Sequence, residues 1–91
     1  MDDLEYKIRI SISKLFSLGE LIKLSSLELE KNLNSEEARR EFENLADAYK
    51  NLTNDLKILL EAYFAEEKKK GDAINLTFKR LYQKILDNSM D

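Results

Sequence analysis

Ala38, Phe42, Leu45, Tyr49, Leu52, Leu56, Leu59 and Tyr63 succeed one another in alternating steps of four and three residues. That period keeps all of them on one stripe of an α-helix and on no common face of a strand, so the middle of the chain reads as a long coiled-coil-like helix. With 0 Pro and 2 Gly in 91 residues, few places remain where such a helix can stop. The first break is Asn32, Leu33, Asn34, Ser35, Glu36, Glu37, where Asn34 or Ser35 can accept from the free N–H groups of a new helix and Asn34 with Glu37 has capping-box spacing. The second is Lys68, Lys69, Lys70, Gly71, Asp72. Here three cations sit at the negative end of a helix dipole, Gly71 can take the left-handed conformation, and Asp72 can cap the next helix.

These breaks predict a single all-α domain, 1–91, with helices at about 3–33, 36–70 and 73–87, and Asp2 with Glu5 as a cap at the start. The third helix carries Ile74, Phe78, Leu81 and Ile85, widened by Tyr82 and Leu86. The first has two apolar faces: Leu4, Ile8, Leu15, Leu18, Ile22 and Leu29 form one stripe, while Tyr6, Ile10, Leu21 and Leu24 fall nearly opposite. The main stripe stays in phase across Gly19, so the reading is one continuous helix that Gly19 can kink. Acid-before-base pairs at i, i+4, namely Asp3 with Lys7, Glu5 with Arg9, Glu36 with Arg40 and Glu66 with Lys70, each add a few tenths of a kcal/mol.

Length sets the architecture. A helix of about 35 residues is roughly 50 Å long, whereas a globule of this chain length is about 30 Å across. The short break at 32–35 therefore implies an elongated antiparallel hairpin, and the third helix covers only half of it, forming a three-helix bundle at one end. The broadly apolar stretch from Leu56 to Ala65 is where that third helix is expected to press. At the loop end Leu21, Leu24 and Leu27, with the edges of Phe42, Leu45 and Tyr49, are expected to stay partly wet. A second copy covering them makes a homodimer with a four-helix region. In the alternative, Gly19 bends the first helix over its own hairpin and Leu21 and Leu24 enter a compact monomeric core.

Chemistry is narrowed mainly by absence. With 0 Cys and 0 His there is no disulfide, thiol nucleophile, Cys/His zinc site or imidazole base. The two glycines stand alone, so there is no phosphate-binding loop, and Ser25 and Ser26 lack an evident base. Glu36, Glu37, Glu41 and Glu43 interleave with Arg39 and Arg40 on what reads as a solvated face rather than a metal site. In length and layout the chain resembles the all-α chorismate mutases, but the positions that hold cations in that family carry Glu5, Ile22 and Leu33 here, so no residue carries over. No cofactor, metal or small-molecule substrate is expected, and the chain is read as a non-enzyme.

The net charge of −3 gives no global pull toward nucleic acid. Locally, the fold-back gathers Lys7, Arg9, Lys68, Lys69, Lys70, Lys79 and Arg80 near one end, which supports an alternative reading as a small dimeric nucleic-acid-binding regulator. The acidic first residues, Met1, Asp2, Asp3, Leu4 and Glu5, are unlike a secretion signal, and no apolar run reaches the roughly 20 residues of a membrane span, so a cytoplasmic location is expected. Abundant Leu, Ile, Lys and Glu fit a thermophilic source or a coding bias. The function expected is protein–protein interaction, as an adaptor, assembly subunit, chaperone or viral or mobile-element accessory protein acting through its apolar seam.

Overall fold

The computed structural model describes residues 3–71 and 73–88. Among these residues there are three α-helices: α1 Asp3–Lys31, α2 Glu36–Lys70 and α3 Leu76–Asn88. α1 and α2 form the antiparallel hairpin, and α3 packs back along α2. The molecule measures 55 × 29 × 16 Å, with a radius of gyration of 16.2 Å. A compact chain of this length has a radius near 12 Å, so the long helix sets the shape.

Each helix end has a local cause. α1 runs unbroken through Gly19 and stops at Lys31, two residues short of the expected 33. Asn32 directs its side-chain amide to the Glu28 carbonyl at 3.4 Å and to Glu28 Oε1 at 3.1 Å. This local bonding competes with further helix, and the Ser35 N–H, bonded to the Asn32 carbonyl at 3.0 Å, closes the turn. Of the two caps considered for α2, Ser35 is used: its hydroxyl accepts from the Ala38 N–H at 3.2 Å, and the Asn34–Glu37 capping box does not form. Ser35→Ala should cost about 1 kcal/mol in urea denaturation, and Asn34→Ala only a few tenths. Equal losses at both positions would contradict the cap assignment.

At its far end α2 stops at Gly71, which has φ 72° and donates its N–H to the carbonyls of Glu67 and Lys68. α3 begins at Leu76 rather than 73. The expected caps Asp2 and Asp72 lie outside the described residues. Asn75 caps α3: its Oδ1 accepts from the N–H groups of Thr77 at 2.9 Å and Phe78 at 3.3 Å. Its own N–H donates to the Tyr63 hydroxyl at 3.2 Å, which ties the connection to α2.

The buried apolar core consists of Ile8, Leu56, Leu60, Tyr63, Phe78 and Ile85, all at the three-helix end. Its aromatic rings meet edge to face, Tyr63 on Phe78 at 5.2 Å and Phe64 on Tyr82 at 5.3 Å. Tyr82 also donates its hydroxyl to Glu61 Oε2 at 2.8 Å. That hydrogen bond holds the phenol above its ordinary pKa, with desolvation and the Glu61 charge acting in the same direction. The Arg9 guanidinium lies 5.5 Å from the centre of the Phe78 ring, which links α1 to α3.

Of the four expected i, i+4 ion pairs, two close, both in the first turns of α1: Lys7 with Asp3 at 3.6 Å and Arg9 with Glu5 at 2.9 Å. Glu36 with Arg40 and Glu66 with Lys70 do not come within bonding distance. All four side chains sit in water, where holding a pair in one geometry gains little.

Candidate self-association surface

Beyond the reach of α3 the hairpin is two helices thick, and no apolar side chain there is buried among the described residues. Near the loop the apolar side chains Ile22, Leu29, Phe42 and Leu45 are half-buried. Ser25, only 8% exposed, shares a narrow groove with Ala38, and these small side chains leave the larger ones on the rims. Leu21 is 51% exposed and Leu24 63%, so neither enters a core made by one chain. The compact alternative, with α1 folded over the hairpin at Gly19, is thereby overturned. The physical reason is that α1 keeps its helical phase through Gly19, so Leu21 and Leu24 stay on the side away from the Ile8–Leu15 stripe.

Four of the six residues expected to form one patch divide between two faces. Leu21, Leu24 and Leu45 line a groove near the loop that includes no residue of α3. Tyr49 lies on the other side, beside Phe16, Gly19, Leu56 and the α3 residue Leu81, with its ring 4.0 Å from where a Cβ on Gly19 would stand. Leu27 is exposed and Phe42 half-buried, and neither lines the Leu21–Leu24 groove. A heptad stripe assigns residues to the seam but does not say which rim of it a third helix will cover.

Toward the three-helix end the α3-free face continues. Tyr6, Ile10 and Lys14 of α1 face Leu52, Ile58 and Leu59 of α2 across a second shallow groove. Tyr6 at 55% and Ile58 at 56% exposure are as open to water as Leu21. Tyr6 and Ile10 belong to the second stripe of α1, so their exposure is signalled by the spacing. Ile58 carries no such signal, because it lies within the broadly apolar stretch 56–65 where α3 is expected to press.

The cations Lys7, Arg9, Lys68, Lys69, Lys70, Lys79 and Arg80 all stand exposed. The fold brings the start of α1, the end of α2 and the start of α3 to one end of the molecule, as Arg9 on Phe78 shows. Two of the seven are already matched by acids, Lys7 by Asp3 and Arg9 by Glu5. Among the described residues no group of three or more acidic side chains converges as a metal ligand set, and no helix is long and apolar enough to cross a membrane. Comparison with protein-family models, with curated proteins and with solved structures finds no match.

Proposed function

We propose that this chain is a non-enzymatic helical protein–protein interaction module that acts as a homodimer, in the manner of a small adaptor, an assembly subunit or an accessory protein of a virus or mobile element. The observation that supports it is the uncovered apolar face of the hairpin. Tyr6, Leu21, Leu24 and Ile58 are each more than half exposed, on a molecule only 16 Å thick. Large apolar side chains gathered along one face of a small protein are characteristic of a surface that meets another protein. A chain this size also has few buried residues of its own, and association adds to them.

The test is absolute molar mass by light scattering after size exclusion, over a dilution series and at two salt concentrations. A mass twice the 10.7 kDa of one chain, kept at both salts, is the expected result. Apolar burial is little screened by salt, so a seam of this kind persists where a purely ionic contact weakens. A single-chain mass throughout would overturn the proposal.

The exposed cations at the three-helix end favour a second reading, a small dimeric nucleic-acid-binding regulator. It holds if labelled RNA or DNA binds with a steep salt dependence that disappears when Lys68, Lys69 and Lys70 become Gln. The interaction module shows neither effect.

A further inference from the structure

We propose that two copies meet through the face turned away from α3 with their loops at opposite ends, α1 running antiparallel to α1 and α2 to α2. The inference rests on the self-association reading and adds the face and the direction of packing.

The first argument is the order of side chains along α1. On this face the helix presents Tyr6, Ile10, Ser13, Ser17, Leu21 and Leu24, spaced by threes and fours and reading large, large, small, small, large, large. Both serines are exposed. The pattern is nearly symmetric about the level of Leu15 and Phe16. Reversing one copy against another sets Tyr6 beside Leu24, Ile10 beside Leu21 and Ser13 beside Ser17, with the small pair allowing the backbones to approach at the centre. On α2 the exposed Ile58 and the groove residue Leu45 lie equally far from the level of Asn51 and Leu52. Leu52 shares a groove with Lys14, so both helices have their centre of symmetry at the same height along the hairpin. An interface between identical copies must be complementary to itself, and this face has that property in the reversed direction.

Charge provides the second argument. The half of the face near the three-helix end carries Lys7 and Lys14 with two acids, Asp55 and the Asp3 that pairs with Lys7, and so is close to neutral. The half near the loop carries Glu28, Glu37 and Glu41 with one cation, Arg40. Reversal brings the near-neutral half of each copy, with Lys7 and Lys14, over the acidic half of the other, whereas loops placed together would set one acidic half against the other. Size agrees as well. From Tyr6 to Leu24 the face is about 27 Å long, and two packed helices are about 20 Å across, which with side-chain relief approaches the roughly 800 Å² per partner of a standard interface.

Because the chain contains 0 Cys, single introduced cysteines report the direction directly. Under mild oxidation Ser13→Cys and Ser17→Cys, near the centre, should cross-link to each other. Tyr6→Cys and Leu24→Cys should cross-link to each other on the order of tenfold faster than either does to itself, because a disulfide requires its Cα atoms within about 7 Å. As a second measurement, Lys7→Glu with Lys14→Glu should weaken the dimer by about tenfold or more, and adding Glu28→Lys and Glu41→Lys to the same chain should restore it. A wild-type dimer in which Tyr6→Cys prefers itself, or in which the charge reversals change nothing, overturns the reversed packing and leaves self-association standing. A wild-type chain that stays at single-chain mass overturns both.

Discussion

Phe78→Ala should remove about 3–5 kcal/mol from the three-helix end, which is a large share of the roughly 5–15 kcal/mol available to a domain of this size. The ring is 2% exposed. It packs edge to face on Tyr63 at 5.2 Å and lies beneath the Arg9 guanidinium at 5.5 Å, so truncation opens a cavity bounded by all three helices. α3 has 13 residues, too few to persist as an isolated helix, and Phe78 is the first anchor after its cap. The expected result in urea denaturation monitored by circular dichroism is a lower midpoint and loss of the α3 contribution to the helical signal. Leu76→Ala, at a side chain 65% exposed, is the control and should change stability by less than about 0.5 kcal/mol. A Phe78→Ala loss below about 1 kcal/mol would mean that α3 is not held by this ring.

The second large effect concerns association. Leu21→Lys with Leu24→Lys should turn a dimer into a folded monomer. Lys is nearly as good a helix former as Leu, and both leucines are more than half exposed within one chain, so the hairpin itself loses little. In the dimer the two substitutions remove four apolar side chains from the interface, by symmetry. If each contributes about 1–1.5 kcal/mol from its still-exposed part, the loss is roughly 4–6 kcal/mol, or three to four orders of magnitude in Kd. Light scattering should give the single-chain mass at concentrations where the wild type is dimeric, with helix content and thermal midpoint close to those of an undimerised chain. An unchanged dimer would exclude this face as the seam.

The placement of α3 explains how much of this surface is legible in the sequence. Leu21 and Leu24 can be read from their phase on α1, because helical spacing alone puts them opposite the main stripe. The position of Tyr49 in the α2 seam points to the same patch, yet its ring lies against Gly19 on the side that α3 occupies. Ile58 belongs by its neighbours to the covered side and faces water instead. Both differences come from one fact. A third helix can lie over either rim of a hairpin, and periodicity within each helix does not distinguish the rims.

Local chemistry, readable without any tertiary information, determined the helical class, a start of α2 at Asn34 or Ser35, its stop at Gly71, and the hairpin that its length imposes. A hydroxyl next to free N–H groups, a residue able to take positive φ and an unbroken apolar period each act over a few residues of chain. Asn75 starts α3 by the same kind of local cap, and the tertiary structure alone decided which rim that helix covers and so which apolar face stays open. Those outcomes rest on contacts between residues far apart in sequence: the Asn75 N–H on the Tyr63 hydroxyl, Tyr82 on Glu61, and the Phe78 ring between Tyr63 and Arg9. Such contacts form only once the helices are packed, and the free energy that selects among packings is shared by all the groups that meet, so it leaves no periodic trace in any one of them.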